Sequence, residues 1–449
     1  MDTITYENIQ IMGIPFHKIG KLQIRHRVND HGYCHIEGEM TEEQARDIIR
    51  RVDERFALKI ETKAAGQPSV LFYGNVQKIS MEEGNSYASL IVDGITSSGK
   101  LDRQKRNQTY QNTTQTHGQL LNKLLGDRGS VQVLATDRPV KSFIIQCDET
   151  DWEFTIRMAS RLGAPASVNI LSPKPQIYIG IPPEGRTVRV DTVSFGSARD
   201  VQGAGGVSQS ARSYAYAYLG DCLALNGKNY RIKSMQADLV DGLLECSYDF
   251  CAPAGFSVPQ TANGSVSGRM LRGIVKKVEA DKVQVHFASV DSSYDEGGDC
   301  WFPYSTAYSS QDGSGWYSMP AENDEVRVFF PSGDEGEAFA AGAVAKNVRA
   351  NVKDKAWSGT NGKEILMTAD GLVITCKDQK IYIKLSDADG ISIISDANIN
   401  VTSGSNVNIS AGDTIKILAE NEVVLGTAES HINIRKEGIS ATGNNIIMI

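Results

Sequence analysis

The chain has 449 residues, 41% of them hydrophobic, and its 46 lysines and arginines against 54 aspartates and glutamates give a net charge of −8. This length predicts two to four domains with packed cores, and the acidic balance argues against a nucleic-acid partner. The sequence opens without a basic region followed by an apolar core and contains no run of about 18 apolar residues, so we expect cytoplasmic synthesis without a signal peptide or a membrane span.

Residues 1 to about 105 predict strands joined by turns, because short runs with alternating apolar residues recur there. The clearest runs are 9–11, 22–24, 70–76 and 87–92. One helix interrupts them, from Thr41, a suitable N-cap followed by acidic residues, to about Asp53. We therefore expect an antiparallel sheet or barrel with one helix in this part of the chain.

More helix is predicted between residues 114 and 163. Residues 116–125 have a helical apolar face that ends at Gly126, and residues 150–162 form a capped amphipathic pattern that ends at Gly163. Strands then return at 167–171, 176–181, 187–194, 222–225, 230–237 and 242–250. Three glycines fall within 200–210, but no Gly-Lys-Ser/Thr follows them, so we predict a mobile loop there rather than a nucleotide site.

A linker rich in small residues occupies 255–268, and a compact β unit follows at 269–344. About 80 residues in five or six short strands suit a small closed barrel of the OB type. Residues 345–364 then form a polar connector into the last part of the chain.

Residues 365–449 carry the clearest pattern in the chain, an apolar residue that recurs about every eight positions. Two residues after most of these starts lies a second apolar residue, and turn-forming residues fill the spaces between. Such pairs indicate short strands with one buried face in a repeat structure. The repeat starts are Ile365, Val373, Ile381, Ile391, Ile399, Val407, Ile415, Val423, Ile432, Ile439 and Ile446.

Eight extended residues span only about 26 Å, so a closed turn around an apolar axis needs about three repeats. One chain could supply three in succession, or three chains could supply one each, and the pattern alone does not choose. We favour three chains, because eleven repeats on one chain give fewer than four turns and because the sequence ends in apolar residues, whereas a free solenoid end should be polar. The predicted needle core comprises Ile399, Val401, Val407, Ile409, Ile415, Ile417, Val423, Leu425, Ile432 and Ile434.

Three motifs, in order along the chain, resemble the VgrG family, the spike proteins of type VI secretion and related contractile injection systems. Residues 146–163, with Glu149, Trp152, Arg157 and Arg161, resemble the family's hub domain. The OB-type unit resembles the family's OB domain at 283–287, 315–320, 325–335 and 341–344. Residues 358–365 resemble the entry into its needle.

The resemblance implies a mainly β homotrimer with five parts. A phage-hub-like domain (1–254), with two barrel-like subdomains and helices around 114–163, would sit on the inner-tube protein and baseplate components. The linker (255–268) would lead to an OB-fold collar (269–344) and a connector (345–364), and residues 365–449 would wind into an intertwined triple-stranded β-helix needle. The apolar residues at its end would dock a PAAR-type tip protein; they are Ile446, Ile447, Met448 and Ile449.

What the resemblance implies for function is mechanical. The protein would be the central hub and membrane-piercing spike of a phage-tail-like particle, expelled into or through a target membrane. No catalytic residue, cofactor or metal is expected. Some phage spikes bind iron through a His-x-His pair near the tip, but here only His431 is available, and we predict a plain surface histidine.

Other candidate chemistry is weaker. His31 and His35 are four residues apart, but Gly32 and a strand-like context argue against a helical metal pair. The seven cysteines match no disulfide or zinc spacing, and Cys246 and Cys251, five apart on a predicted strand, are predicted to be packed thiols. An acidic loop in the barrel lacks the EF-hand spacing, so we predict a solvated loop rather than a calcium site; its acids are Asp291, Asp295, Glu296 and Asp299.

The alternative from another functional class is a secreted single-chain β-helix that cleaves polysaccharides with paired carboxylates. Asp387 with Asp389, or Asp396 with Asp413, could form the pair. Such enzymes need coils of twenty or more residues with long loops that build a cleft, whereas these repeats are separated by short turns. We therefore favour the structural role.

Overall fold

The structure is a computed structural model that describes residues 3–67, 69–84, 87–183, 185–189, 194–199, 207–225, 228–292, 294, 297–342, 351–376, 379–445 and 447. It divides into two units, Met1–Val344 and Ala345–Ile449. Both units are mainly β, as the sequence predicts. Among the residues described, no helix is long and apolar enough to cross a bilayer.

The first unit contains three α-helices and 22 strands among its described residues. The helices are α1 (Glu42–Arg51), α2 (His117–Leu125) and α3 (Asp151–Arg161). The strands are β1 (Ile9–Met12), β2 (Lys18–Arg27), β3 (Tyr33–Met40), β4 (Ala57–Thr62), β5 (Val70–Glu83), β6 (Ala88–Ile95), β7 (Lys105–Tyr110), β8 (Ser130–Val133), β9 (Ile144–Thr150), β10 (Ala166–Val168), β11 (Gln176–Ile179), β12 (Thr187–Arg189), β13 (Ser194–Arg199), β14 (Val207–Ser213), β15 (Cys222–Leu225), β16 (Lys228–Val240), β17 (Leu243–Cys251), β18 (Met270–Glu279), β19 (Lys282–His286), β20 (Phe302–Pro303), β21 (Glu325–Phe329) and β22 (Phe339–Ala341). Short 3-10 helices cover Tyr6–Asn8, Ser97–Asp102, Gly126–Arg128, Pro253–Phe256 and Glu335–Glu337.

The second unit contains eight described strands and no described helix. They are β23 (Lys355–Ser358), β24 (Glu364–Thr368), β25 (Gly371–Cys376), β26 (Ile381–Ser386), β27 (Gly390–Ile394), β28 (Glu422–Gly426), β29 (His431–Arg435) and β30 (Gly438–Thr442).

All three helices occur where the sequence predicts them, and each begins with the same capping arrangement. The side chains of Thr41, Thr116 and Thr150 each accept a hydrogen bond from the backbone N–H three residues later, and the Gln or Glu there returns a contact to the cap. Gly126 and Gly163 follow α2 and α3 with φ of 50° and 69°, a left-handed conformation that glycine adopts at low cost.

One 12-stranded sheet organises both halves of the N-terminal region. Strands β1 to β6 form one part, and β12 to β17 form the other. The two parts join where β2 pairs antiparallel with β16, with Ile24 opposite Ala237 and His26 opposite Met235. Their apolar residues form one continuous core. The family resemblance implies two barrel-like subdomains, but the sequence does not indicate that they share a sheet.

Strand β14 contradicts part of the predicted loop at 200–210. Residues 207–210 belong to this strand, which pairs with β13 on one side and β17 on the other; residues 200–206 lie outside the described part of the chain. The strand consists mostly of small polar residues and shows no apolar alternation. Its strand conformation is therefore set by backbone pairing with neighbours that are distant in sequence.

The barrel predicted at 269–344 has the strand order of an OB fold. Strand β18 lies between β19 and β21, β20 pairs with β19, and β22 pairs with β21. A parallel bridge between Tyr304, directly after β20, and Ala340 in β22 brings the two edge strands together. This closure confirms the predicted OB topology.

The second unit departs from the predicted continuous run of short strands. Strands β23 to β27 form one antiparallel meander, and β28 to β30 form another. Between Ile394 and Glu422 the structure has no strand, although the eightfold pattern predicts strands at 399–401, 407–409 and 415–417. A strand requires a backbone partner, and the single chain does not provide one over this segment.

Candidate functional site

The predicted core residues of the last meander share one face of its sheet. Val423 lies opposite Ile434 and Leu425 opposite Ile432, while Ile434 and Ile432 in turn lie opposite Ile439 and Ala441. Directly opposed residues point to the same side of an antiparallel pair. In the single chain this apolar face is half-buried to exposed. Whether it forms the core of a needle remains a prediction.

The first meander follows the eightfold pattern except at one strand. One face of its sheet carries a row of four isoleucines. Ile374 lies opposite both Ile365 and Ile383, and Ile383 in turn lies opposite Ile393. The predicted start of the repeat at this strand was Val373, which lies on the opposite face. That prediction is wrong by one position, because the tight turn before Gly371 sets the register.

The segment of residues 395–421 is the most exposed part of the pattern. Six predicted core residues lie in it, and their exposed fractions range from 50% to 75%. A soluble protein rarely leaves apolar side chains exposed at regular intervals over such a length unless another surface covers them. The segment therefore exposes apolar side chains along a backbone that forms no strand; the six residues are Ile399, Val401, Val407, Ile409, Ile415 and Ile417.

One of the four predicted tip residues lies in the described part of the chain. Ile447 is 81% exposed, whereas Ile446, Met448 and Ile449 lie outside the described residues. His431 is half-buried at the start of β29, where it pairs with Gly426 and Thr442. Among the described residues, no group of three or more His, Cys, Asp or Glu side chains is placed to hold a metal ion.

A second candidate site is a joint between the N-terminal region and the OB barrel, and Phe143 lies at its centre. This residue precedes β9, yet its buried ring packs inside the barrel. Its centroid is 5.2 Å from that of Phe287, 5.1 Å from that of Phe302 and 5.8 Å from that of Phe330. Ile145 and Cys147 belong to the same core. The barrel core is therefore completed by residues that precede it by more than a hundred positions.

A network of buried ion pairs also joins the N-terminal region to the OB barrel. Arg157 of α3 donates two hydrogen bonds to the Glu149 carboxylate, at 2.7 and 2.8 Å, and one at 2.7 Å to Glu335 in the barrel. Arg161 donates to the other oxygen of Glu335. A fourth hydrogen bond of 2.8 Å joins Arg157 to the Ile145 carbonyl. Because both acids share their charge with guanidinium groups, the burial of the charges is compensated.

Two aspartates of the predicted solvated loop form the other side of the joint. Asp299 accepts hydrogen bonds from the Thr113 backbone N–H at 2.7 Å and from its hydroxyl at 3.0 Å. Asp291 accepts the same two kinds of bond from Thr109, the backbone one at 2.8 Å. Burial raises the pKa of Asp291, and the Thr109 donors oppose that shift. The interpretation as a solvated loop is therefore wrong for Asp291, which is half-buried, whereas Asp299 is exposed, as that interpretation expects; Asp295 and Glu296 lie outside the described residues.

A serine, a histidine and an aspartate come together elsewhere, but not in an accessible site. His31 Nδ1 lies 2.8 Å from Ser98 Oγ, and its Nε2 lies 3.5 Å from Asp102. Ser98 Oγ also lies 2.8 Å from the Thr96 hydroxyl, and Asp102 accepts a 2.6 Å hydrogen bond from Thr150. Ser98 and His31 are both buried, so a substrate cannot reach the hydroxyl. The group joins the region before β3 to the start of α3.

His35 and the cysteines lie in structural and not in metal-binding or disulfide environments among the described residues. His35 lies within β3, where its two ring nitrogens are each 2.7 Å from a carboxylate oxygen, of Asp93 and of Glu37. All seven cysteines are free, and Cys246 and Cys251 are buried, which confirms the prediction that they are packed thiols. Burial raises the pKa of Cys246 and of Cys300 to about 12, so these thiols are poor nucleophiles at neutral pH.

Comparison with known proteins supports the fold. No protein-family model matches the chain, and no curated protein matches it in sequence. Among solved structures, the E. coli c3393 protein is a component of the type VI secretion system with structural similarity to the T4 bacteriophage tail proteins gp27 and gp5. It matches at a TM-score of 0.55 and 14% identity over 75% of this chain and 99% of that chain.

Two forms of a Francisella complex of PdpA and VgrG give the same result. The half-lidded form matches at a TM-score of 0.56 and 9% identity over 88% of each chain. The lidded form matches at 0.54 and 9% over 86% of this chain and 79% of that chain. At these identities the likeness concerns the fold, and it extends over both units. The chain therefore has the hub–spike fold of VgrG-like proteins.

Proposed function

We propose that this protein is the trimeric hub and spike of a contractile, phage-tail-like injection apparatus. The observation that carries the proposal is the segment 395–421, whose regularly spaced apolar side chains are exposed and whose backbone forms no strand in the single chain. Two further copies of the same segment would cover these apolar side chains and pair with this backbone, because identical repeats can pair around a common axis. The hub–spike fold is consistent with this role.

In the proposed trimer, hydrogen bonds between chains surround a dry apolar axis. Ten steps between repeats, each somewhat longer than one strand spacing, give a rod of at least about 50 Å. The hydrocarbon core of a bilayer is only about 30 Å thick. A rod of this length and stiffness is suited to pierce a target membrane when the apparatus contracts.

The proposed partners follow from the same assembly. The N-terminal region would form a ring on the inner-tube protein and contact baseplate components, while the end of the needle would carry a PAAR-type protein. The exposed Ile447 is compatible with such a cap. The protein would be made in the cytoplasm and leave the cell only as part of the particle.

The buried joint at Phe143 supports a mechanical role for the first unit. Axial force applied to the N-terminal region would reach the OB barrel through a shared apolar core and paired charges rather than through a flexible linker.

The alternative function, a polysaccharide-cleaving enzyme, would need an open cleft with paired carboxylates. Asp387 and Asp389 lie in the tight turn between β26 and β27, where Asp389 contacts Lys384 and Ser386.

The proposal is tested by the mass of the full chain in solution, measured by light scattering after size exclusion. One chain has a mass of 48.8 kDa, and a trimer of about 146 kDa is expected. A folded monomer at micromolar concentration would contradict the proposal. It would lead us to test the protein against polysaccharides for chain cleavage.

A further inference from the structure

The OB barrel carries three exposed aromatic rings on one ordered loop. This aromatic loop comprises residues 305–318, between β20 and β21. The exposed fractions of Tyr308, Trp316 and Tyr317 are 55%, 63% and 73%. They are the only large aromatic side chains among the described barrel residues that are more than half exposed.

Backbone contacts hold the aromatic loop in a defined shape. Ser309 and Gly315 form a bridge, and the Trp316 N–H donates a 2.8 Å hydrogen bond to the Tyr308 carbonyl. Gly315 has φ of 148°, and a Cβ there would collide with that same carbonyl. The Tyr317 hydroxyl donates at 2.8 Å to the Ala280 carbonyl in the β18–β19 turn. The rings are therefore presented on a rigid support, which lowers the entropy cost of binding.

The composition of the loop is that of a protein-binding surface. Among its 14 residues are five serines, two glycines and the three exposed aromatics. Tyr, Trp, Ser and Gly dominate binding loops because aromatic rings give large contact areas at low entropy cost, and small polar residues adapt to the partner. Trp and Tyr also contribute most often to binding energy at interfaces.

The charge of the OB barrel indicates which partner the aromatic loop binds. Residues 269–344 contain 13 acids and six lysines or arginines, so this barrel carries nearly the whole net charge of the chain. A basic partner would bind its acidic faces, whereas a second copy, equally acidic, would be repelled from them. The aromatic loop contains a single charged residue, Asp312. It is therefore the surface through which two like-charged barrels can approach with least repulsion.

The short connector after the OB barrel would keep the barrels of three joined chains close together. Thirteen residues separate Ala341, the end of β22, from Lys355, the start of β23. They can span at most roughly 45 Å. If three chains join through their second units, their barrels are held at a high effective concentration, and a weak contact is sufficient to dock them.

We propose that the aromatic loop of each chain docks on the OB barrel of a neighbouring copy and so forms the contacts of the collar. This inference rests on the proposed trimer and specifies one of its interfaces. Docking would bury Trp316 and Tyr317 between copies and would orient the barrels about the axis. A protein other than this chain, or a glycan, is the competing occupant.

The test is hydroxyl-radical footprinting of the full-length protein, with the mass measured on the same sample. Tyr87, which is 55% exposed in the first unit, serves as the internal reference. In the trimer we expect Trp316 and Tyr317 to react at least tenfold more slowly than their exposure predicts relative to Tyr87. Protection by purified trimer alone also excludes another protein or a glycan as the occupant.

Three outcomes are distinguishable. A monomer overturns both the proposed trimer and this inference. A trimer in which both rings react as readily as their exposure predicts overturns this inference alone. A trimer with protected rings supports it, and the double variant Trp316→Ser, Tyr317→Ser should then raise the concentration for half-dissociation at least tenfold, whereas Tyr87→Ser should leave it unchanged.

Discussion

The guanidinium of Arg157 in α3 lies 2.7 Å from the carboxylate of Glu335 in the OB barrel, and both side chains are buried. The two residues are 178 positions apart. Their contact unites two regions that the sequence presents as successive domains separated by a linker. It also links the two motifs that contain them, at 146–163 and 325–335.

Glu335→Ala should destabilise the first unit. The substitution removes the acid paired with Arg161 and one of the two acids paired with Arg157, and breaking such a buried pair costs about 3–5 kcal/mol. Chemical denaturation followed by tryptophan fluorescence measures the loss. Glu337→Ala is the matched control, because Glu337 is exposed in the same 3-10 turn, and we expect its cost to be about 0.5 kcal/mol or less. Equal effects of the two substitutions would contradict the network's role.

Phe143→Ala should loosen the barrel specifically. The change opens a cavity among three phenylalanines and costs about 3–5 kcal/mol. Hydrogen exchange read by mass spectrometry should show faster exchange in β18, β19 and β21 than in the unchanged protein. Phe143→Leu keeps most of the volume and should lose less than about 2 kcal/mol. Unaltered exchange in the barrel strands of the alanine variant would show that Phe143 does not complete that core.

Ile409→Asp should abolish the trimer, because the predicted position of this residue is at the axis, where three carboxylates would be buried together. Asn408→Asp introduces the same charge one position away, on the predicted outer face, and should leave the trimer intact. Light scattering after size exclusion compares the two variants. In the single chain both positions are exposed, so only assembly can separate their effects. Loss of the trimer in both, or in neither, would refute the inward assignment.

The folded protein should become less stable as the pH decreases, because His26 is buried in its neutral form. Burial lowers the pKa of His26 to about 4, whereas an unfolded histidine titrates near 6.5. Between these values the unfolded state binds the proton and the folded state does not, so stability is lost as the pH falls from about 6.5 to about 4. The loss attributable to His26 is on the order of 3 kcal/mol.

The measurement for His26 is the free energy of unfolding at pH 7 and at pH 4.5, in the native chain and in His26→Leu. The difference between the two pH values should be smaller in the variant, since leucine does not titrate. An identical pH dependence would show that His26 does not carry the effect. Because His26 lies opposite Met235 on the strand pair that joins the two parts of the large sheet, the loss should appear first as faster exchange in β2 and β16.

Local patterns were sufficient for the elements whose signal lies within a few residues. The helices after Thr41, Thr116 and Thr150 follow from capping boxes and amphipathic spacing. The shared face of Val423, Leu425, Ile432 and Ile434 follows from the eightfold repeat alone, because a period-2 apolar pair defines the side of a strand.

Tertiary structure decided what depends on partners distant in sequence. Strand β14 has no apolar alternation and forms only because β13 and β17 flank it. The backbone turn at Gly371 shifted the repeat at Val373 by one position. Asp291 looks like part of a solvated acidic loop until the folded chain brings Thr109 within hydrogen-bond distance. In each case the local structure depends on a hydrogen bond or packing contact between segments that no local sequence pattern links. Only the folded chain brings those segments together and so determines that structure.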